Sequence, residues 1–360
     1  MMSTIYKNKN ISFVKYIDLC FFYLLLIFMW MFFAGNRGNA DYENYLVYYN
    51  FYSLHIFDGV WYSDLEKGFS LLMKLSNFFN LTYSQFLGIY SFIALFLISN
   101  SILKYSKLRF ITLLLYFSYQ FFLDSVQIRN FMLLAIFLFS LRFLVDWYSN
   151  DKKSSLVKYV LLVIISSQFH ITGLFFILPV FFKRIKLKKM FYIVTTITIF
   201  MFSIKNYILS YFSSALTDTR YSSYLEEPTT FAGSLLIIVY VTVGLYIIKQ
   251  LHERILEESI SINNIVFSEL TIKFNILLIL TIFLFSIRPD FIRIDRNILV
   301  LNYIVLTLCL KPFVISLKPK HLISSALFMV FFMASTYAFL WFSNIEGVIK
   351  PLFENNIYFN

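Results

Sequence analysis

Arg129 lies in a short polar segment, DSVQIRN at residues 124–130, between two long apolar runs. A charge at such a position is costly unless it faces a cavity or a partner. Because a planar guanidinium holds phosphate or carboxylate through paired hydrogen bonds, Arg129 is a candidate ligand for an anion. The alternative is an internal ion pair with Asp124, about five residues earlier on roughly the same helical face.

A second polar segment, RPDFIRIDR at residues 288–296, contributes three more arginines. Arg288, Arg293 and Arg296 are therefore further candidates for binding an anionic substrate such as a phosphate or pyrophosphate. The same segment also contains Asp290 and Asp295, so local ion pairs are the competing interpretation.

Three residues are candidates for proton transfer. His170 follows SSQF and precedes ITG at a turn between apolar runs, where it is either functional or a hydrogen-bonded structural histidine. Asp41 and Glu66 lie in the polar, aromatic segment 35–68 and could act as general bases.

Tyrosines accompany the acidic residues in two segments. Tyr42 and Tyr45 follow Asp41, and the segment 213–230 contains carboxylates together with Arg220, Tyr221 and Tyr224. Aromatic rings beside carboxylates suit sugars, because rings stack on pyranose faces while carboxylates accept hydroxyl protons. An aromatic belt at the membrane interface is the equally good alternative.

The sequence offers no cofactor or metal motif. His55, His252 and His321 fit no ligand spacing, and glycine-rich phosphate loops and common hydrolase motifs are absent. We expect no cofactor, no metal and no nucleotide-driven reaction.

The elements that must position these residues are membrane-spanning helices. The chain of 360 residues is 59% hydrophobic and only 14% charged, which excludes a soluble protein, and its long apolar runs exclude a β-barrel. We predict an all-α, polytopic membrane protein with a single transmembrane domain over residues 1–360. The eleven predicted spans cover about 16–34, 83–103, 108–123, 126–147, 156–170, 171–182, 190–212, 231–248, 273–288, 297–311 and 321–343.

The charge distribution predicts a cytoplasmic N-terminus and an outer C-terminus. With this topology, 21 of the 31 Lys and Arg residues lie inside, as expected for cytoplasmic loops. The net charge of +11 is thus a topology signal, and nucleic acid is excluded as a partner. The predicted outer loops are 35–82, with a short re-entrant or interfacial helix at 69–80, and 213–230. Arginine makes up four of the 21 inner basic residues but six of the ten outer ones, which favours an anion site outside.

Several motifs together resemble the EpsG-type branch of the bacterial Wzy polysaccharide polymerases, over roughly residues 15–345. The order of the motifs and their side of the membrane agree with that family, although Asn130 stands where we expect a Gln or a small residue in many relatives. The motifs are Asp41-Tyr42-x-x-Tyr45, Glu66-x-Gly68-Phe69, Gln127-Ile128-Arg129, Gln168-Phe169-His170, Arg220-Tyr221-x-x-Tyr224 and Arg293-x-x-Arg296.

The resemblance implies a glycosyltransferase fold with many membrane spans and a polymerase of O-antigen, capsule or exopolysaccharide repeat units. These units arrive on undecaprenyl pyrophosphate at the outer leaflet of the bacterial cytoplasmic membrane, where the active site would face outward. A chain-length regulator in the same membrane would be a further partner.

The resemblance also implies roles for the candidate residues. Arg129, Arg293 and Arg296 would stabilise the pyrophosphate leaving group, supported by Arg288 and Arg220. His170 or Asp41 would be the leading candidate for the base, and Glu66 a further one. The candidate sugar-binding residues are Gln127, Tyr42, Tyr45, Tyr221 and Tyr224.

Three other activities remain open from the sequence. A glycosyltransferase that uses polyprenyl-phosphate sugars would employ an outer acidic pair such as Asp41 and Glu43 with a metal. A flippase for lipid-linked units would line a central path with its charges, whereas here the charges cluster at one face. A ligase that transfers finished chains would normally have a larger outer loop.

Overall fold

The computed structural model describes residues 2–62, 65–215, 229–258, 261–310, 319–342 and 344–359. Within these ranges the chain is helical and contains no strand beyond an isolated bridge between Asn36 and Asn356. The predicted all-α class is therefore confirmed. Five described helices are long and apolar enough to cross a membrane, at Phe13–Ala34, Tyr83–Tyr105, Ile128–Asn150, Phe231–Glu257 and Ile262–Ile287.

The helices are numbered in chain order. The first half contains α1 (Met2–Ala34), α2 (Tyr42–Leu54), α3 (Lys67–Phe78), α4 (Tyr83–Tyr105), α5 (Arg109–Tyr116), α6 (Phe122–Val126), α7 (Ile128–Asn150) and α8 (Lys153–Ser167). The second half contains α9 (Leu187–Ser203), α10 (Lys205–Ala215), α11 (Phe231–Glu257), α12 (Ile262–Ile287), α13 (Ile292–Cys309), α14 (Pro319–Thr336) and α15 (Lys350–Glu354). Segments of 3-10 helix occur at Ile171–Phe182 and Pro289–Phe291, and π-helical turns occur at Phe117–Phe121, Tyr337–Phe342 and Ile345–Ile349.

The structure divides two of the predicted spans. The span expected at 108–123 consists of α5, a π-helical turn and α6, and the span expected at 190–212 is interrupted at Ile204 between α9 and α10. The apolar run at 171–182 is a 3-10 helix that contains Pro179. Apolar composition indicates burial and does not by itself guarantee one continuous helix. A total of eleven spans stays a prediction.

The predicted outer segment 35–82 contains two short helices. The helix expected at 69–80 is present as α3, whereas α2 was not predicted as a separate element. Most of the other predicted outer loop, residues 216–228, lies outside the described residues.

The centre of the bundle is formed by α7, α12 and α13. Buried residues occur around the whole circumference of α13 from Ile294 to Cys309, as expected for a helix surrounded by others. By contrast, α1 and α11 expose most of their apolar side chains at the periphery. Asp295, Arg296 and Asn297 near the start of α13 are therefore buried among the surrounding helices.

The last described residues pack against the end of α1. Ile357 N–H donates to the Gly35 carbonyl at 3.0 Å, and Arg37 N–H donates to the Asn355 carbonyl at 2.9 Å. Asn356 Nδ2 also donates to the carbonyl of Phe32 at 2.8 Å. The C-terminal segment thus lies at the end of α1 that is remote from Met2.

Candidate functional site

Arg129 stands at the start of α7 and is held by two other elements. Its Nη1 donates to Glu66 Oε2 at 2.5 Å, and its Nε donates to the Tyr45 hydroxyl at 3.2 Å. The guanidinium lies 5.9 Å from the centroid of the Tyr45 ring. Nη2 has no hydrogen bond to a described residue, and 18% of the side chain is exposed. Arg129 is therefore oriented by two partners while part of its donor set stays available for a ligand.

The alternative ion pair between Arg129 and Asp124 is not formed. Asp124 instead accepts hydrogen bonds from the Tyr116 hydroxyl at 3.0 Å and from Asn130 Nδ2 at 3.2 Å. The backbone of Gln127 has φ −87° and ψ 62°, which ends α6 before α7 begins. Asp124 and Arg129 consequently belong to different helices and do not share one helical face.

A cluster of aromatic side chains fixes the helix that supplies Tyr45. The buried face of α2 carries Tyr42, Tyr45, Tyr49 and Tyr52. Tyr45 packs edge-on against Phe69 of α3 with ring centroids 5.6 Å apart. This packing joins α2 to α3 and brings the Tyr45 hydroxyl to the start of α7.

Gly68 allows α3 to begin directly against the turn that carries His170. A Cβ atom at Gly68 would lie 2.6 Å from Gln168 Cβ and 2.8 Å from the Gln168 carbonyl oxygen. At the next residue, Phe69 N–H donates to that carbonyl at 3.2 Å. The close approach brings the N-cap of α3, Glu66, near the 168–170 turn.

His170 links this turn to α13. Its Nδ1 lies 2.8 Å from Thr172 Oγ1, and its Nε2 lies 3.3 Å from Arg293 Nη1. Since a guanidinium only donates, we assign the ring proton to Nδ1, which donates to the threonine hydroxyl, and Nε2 as the acceptor. The longer 3.4 Å approach of the Thr172 N–H to Nδ1 would need the opposite tautomer, which would direct two donors at each other.

Arg288 and Arg293 share a carboxylate. Asp290 Oδ2 accepts from Arg288 Nε at 2.6 Å, and Asp290 Oδ1 accepts from Arg293 Nη2 at 3.1 Å. The local ion pairs considered from the sequence therefore exist for these two arginines. Both remain about one-fifth exposed, so they can also be reached from outside the bundle.

Arg296 lies deeper than the other arginines of α13. Only 4% of Arg296 is exposed. Its Nη2 donates to Oε1 of Gln127, and Gln127 is the residue between α6 and α7. Its Nε has no hydrogen-bond partner in the described part of the chain. The predicted sugar ligand Gln127 thus holds an arginine at the boundary between two helices.

Asp41 lies close to the arginines of two different helices. Burial raises the pKa of the Asp41 carboxyl above its ordinary value, and the charges of Arg293 and Arg129 oppose that rise without cancelling it. The carboxylate makes no hydrogen bond with any described residue. A carboxylate whose pKa is raised is a better proton acceptor than an ordinary aspartate.

The described site candidates lie at one end of the bundle, but they differ in how exposed their side chains are. The Tyr42 ring packs against Tyr83 at 5.2 Å, and Tyr42 and Tyr45 are both buried. Their rings lie in the protein interior rather than on an open surface. The remaining candidates Arg220, Tyr221 and Tyr224 lie outside the described residues.

Sequence reasoning missed the buried amides beneath the arginines. Asn130 and Asn297 bond to each other, and Gln120 and Asp124 join the same network. The only signal in the sequence was position, since each asparagine directly follows a candidate arginine, Arg129 or Arg296.

In the described part of the chain, the site combines several guanidinium groups with the Asp41 carboxylate, which makes no hydrogen bond there. Arginines from α7 and α13 can bind an anion, and Asp41 can accept a proton between them. Within the described residues, no group of three or more His, Cys, Asp and Glu side chains is arranged to hold a metal ion.

Comparison with known proteins identifies the family. The sequence model of the EpsG family matches residues 20–352, which is nearly the whole chain, and the chain therefore belongs to that family. No curated protein and no solved structure matches the chain.

Proposed function

We propose that this member of the EpsG family is a polymerase that joins undecaprenyl-pyrophosphate-linked oligosaccharide repeat units by glycosyl transfer. The reaction takes place at the outer leaflet of the bacterial cytoplasmic membrane. Family membership supports a polysaccharide polymerase in general. The arginines of the candidate site support an anionic substrate such as a pyrophosphate, and the undecaprenyl carrier is what the resemblance to Wzy polymerases implies.

The observation that carries this proposal is that arginines from two helices are held in place at the same end of the bundle. Arg129 begins α7 and bonds to Glu66 and Tyr45, while Arg293 in the first turn of α13 bonds to His170 and Asp290. The charges of both arginines oppose the rise in the pKa of the Asp41 carboxyl. Two positive groups beside one proton acceptor are the groups required to move a sugar from a pyrophosphate to a hydroxyl.

The arginines would stabilise the lipid pyrophosphate as it leaves. Negative charge develops on the bridging oxygen when the glycosidic bond to the pyrophosphate breaks, and fixed guanidinium groups stabilise that charge. Arg293 and Arg288 are accessible at the surface, while Arg296 lies beneath them. With two arginines near the surface and a third one buried, the site suits a lipid headgroup that enters from the outer leaflet with its phosphates directed toward the protein.

Asp41 is the best supported of the three candidates for the base. The Nε2 lone pair of His170 is directed at Arg293, and the Glu66 carboxylate is held by Arg129. The Asp41 carboxylate has no comparable hydrogen bond to a residue that the structure describes, and burial raises the pKa of its carboxyl. In this assignment His170 and Glu66 orient arginines, while Asp41 takes the proton.

The proposed step transfers one glycosyl chain to a hydroxyl and one proton to Asp41. The acceptor hydroxyl of one repeat unit loses its proton to Asp41 and attacks the anomeric carbon of the other chain. The bond between that carbon and the pyrophosphate oxygen breaks as the new glycosidic bond forms. Undecaprenyl pyrophosphate leaves, and the proton passes from Asp41 to the leaving group or to solvent.

Two observations support the proposed topology of eleven spans with the N-terminus inside. Lys and Arg are concentrated in the segments assigned to the cytoplasm. The C-terminal segment packs at Gly35, the end of α1 opposite Met2, as an odd number of crossings requires. The candidate site would then face outward.

Reconstitution tests the proposal directly. The purified protein in liposomes should convert lipid-linked repeat units into a ladder of longer chains and release one undecaprenyl pyrophosphate for each bond formed. Arg129→Ala should abolish the ladder. Arg37→Ala is the matched control, because among the described residues the Arg37 guanidinium donates to the backbone carbonyls of Ala34 and Asn36 and to no site candidate.

The same assay separates the alternatives. Movement of lipid-linked units across the bilayer without new bonds would contradict the proposal and identify a flippase. Polymer formation only with a polyprenyl-phosphate sugar, or only with added metal, would identify the other class of glycosyltransferase.

A further inference from the structure

Asn130 and Asn297 form a reciprocal amide pair. Asn130 Nδ2 donates to Asn297 Oδ1 at 3.1 Å, and Asn297 Nδ2 donates to Asn130 Oδ1 at 3.0 Å. Both side chains are buried, with exposed fractions of 1% and 0%. Asn130 directly follows Arg129 on α7, and Asn297 directly follows Arg296 on α13. The pair therefore ties together the two helix starts that carry the arginines.

Neighbouring polar groups fix the orientation of this pair. Asn130 Nδ2 also donates to Asp124 Oδ1 at 3.2 Å, and Gln120 Nε2 donates to Asn297 Oδ1 at 3.4 Å. Gln120 belongs to the π-helical turn between α5 and α6. Because the acceptors define which amide atom is nitrogen, each asparagine has one favourable orientation. Rotation or loss of either amide would leave buried polar atoms without partners.

The protein contains a second reciprocal amide pair of the same kind. Asn275 Nδ2 donates to Asn302 Oδ1 at 2.8 Å, and Asn302 Nδ2 donates to Asn275 Oδ1 at 3.2 Å. This pair joins α12 to α13, and both side chains are buried. Asn302 lies five residues beyond Asn297, and neither member is adjacent to an arginine. It provides a natural control for what such a pair contributes to packing alone.

We infer that Asn130 and Asn297 are positioning residues that hold Arg129 and the α13 arginines at the separation of the two phosphoryl groups of one pyrophosphate. This inference rests on the proposed function and adds to it that both helices bind the same headgroup. The network connects to the site at a second point, because Gln127 accepts a hydrogen bond from Arg296 two residues before Arg129. Loss of the amide pair would let the arginines separate without removing any of their charge.

The test compares Asn130→Ala and Asn297→Ala with Asn275→Ala and Asn302→Ala. Thermal stability in detergent, binding of inorganic pyrophosphate by the purified protein, and kcat and KM with lipid-linked repeat units are measured for all four. Each variant removes one half of a buried pair, so similar losses of stability are expected. The two site variants should weaken pyrophosphate binding on the order of tenfold or more, whereas the control variants should stay near the wild-type value.

Coupling between the two asparagines provides a second readout. Because they act as one pair, Asn130→Ala/Asn297→Ala should bind pyrophosphate no more weakly than the worse single variant. Should the alanine variants not fold, Asn130→Ser keeps a hydroxyl within the polar network but cannot span the distance to Asn297. It should show the same loss of pyrophosphate binding.

Equal losses of pyrophosphate binding in the site and control variants would overturn the inference. Both amide pairs would then contribute only to the packing of the helices. Unchanged binding in Asn130→Ala and Asn297→Ala would also overturn it. The proposed function fails by a different result, namely wild-type protein that forms no polymer from lipid-linked repeat units. Binding of inorganic pyrophosphate needs no turnover, so it decides the positioning role in either case.

Discussion

Arg129 and Glu66 are separated by 63 residues in the chain, and their side chains meet at 2.5 Å. The ion pair joins the start of α7 to the residue that caps α3. A guanidinium held in this way is presented to a ligand at a fixed angle, which a surface arginine on a mobile loop could not achieve.

Substitution of Arg129 tests whether its geometry or only its charge is needed. Arg129→Ala should abolish polymerisation while the amount of protein in the membrane stays normal. Arg129→Lys should fail as well, because one ammonium group cannot replace the Nε and Nη1 donors that bind Tyr45 and Glu66. Wild-type activity in Arg129→Ala would refute the assignment, and activity in Arg129→Lys would show that charge suffices.

Asp41→Asn should lower kcat/KM by a factor on the order of 10² or more, because the amide cannot take the acceptor proton. In the wild type, kcat/KM should rise with pH as the Asp41 carboxyl loses its proton. Burial raises the pKa of this carboxyl, so the rise should be centred above the ordinary aspartate value of 3.8. The pH profile of Asp41→Asn should lack this rise. Glu66→Gln, which keeps an acceptor for Arg129, should retain it.

His170→Gln tests the role of the histidine as a partner of Arg293. Because the His170 Nε2 accepts from Arg293 Nη1, a glutamine oxygen can take over that role in part. We expect KM for the lipid-linked substrate to rise more than kcat falls, with the acidic side of the pH profile unchanged. Loss of that part of the profile would instead identify His170 as the base.

Helix α3 exposes apolar side chains, which predicts that it faces lipid. Leu71 and Leu75 are exposed, whereas the polar residues Ser70, Lys74 and Asn77 are buried together with Phe69 and Met73. Asn77 Nδ2 donates to the Tyr49 carbonyl at 3.1 Å, so its polar group is satisfied inside the protein. Exposed apolar residues continue along α4, an observation consistent with one lipid-facing surface.

Cysteine labelling tests that surface after the native cysteines Cys20 and Cys309 are replaced. Leu75→Cys should resist a water-soluble maleimide because its thiol lies in lipid. Lys67→Cys, at the exposed start of the same helix, should react and serves as the control. Equal labelling of both cysteines would place α3 in water.

Gly68→Ala should destabilise the site scaffold. The added Cβ would lie 2.6 Å from Gln168 Cβ and 2.8 Å from the Gln168 carbonyl oxygen, so α3 or the 168–170 turn must move. A loss of about 1–3 kcal/mol is expected from such overpacking, and it should lower the thermal midpoint in detergent. Gly347→Ala, where a Cβ would meet no atom within 4 Å, should leave the midpoint unchanged.

Part of this site could be predicted from the sequence. A charged residue between apolar runs must face a cavity or a partner, and that rule singled out Arg129, which contacts α2 and the N-cap of α3. Arg293 was selected by the excess of arginine in the predicted outer segments, and it contacts His170. Their partners could not be predicted, because Glu66 and His170 are distant in sequence from the arginines that they contact. The alternative pair of Arg129 with Asp124 was wrong because it assumed one continuous helix through Gln127.

The interruptions of the predicted spans 108–123 and 190–212 were also not predicted from the sequence. Apolar composition continues largely unbroken through the π-helical turn at Phe117–Phe121, so this interruption leaves little hydropathy signal. The interruption at Ile204 does coincide with polar residues, Lys205 and Asn206, but the predicted span 190–212 ran through them. The amide pair of Asn130 and Asn297 also escapes sequence reasoning, because a buried asparagine has no local pattern until its partner is known.

Deletion of the gene, followed by a gel of the surface polysaccharide, tests whether the protein elongates that polysaccharide. The ladder of chain lengths should collapse to a single repeat unit. Wild-type protein and Arg37→Ala should restore the ladder, and Arg129→Ala should not. Disappearance of all repeat units from the surface, or an unchanged ladder, would contradict the account.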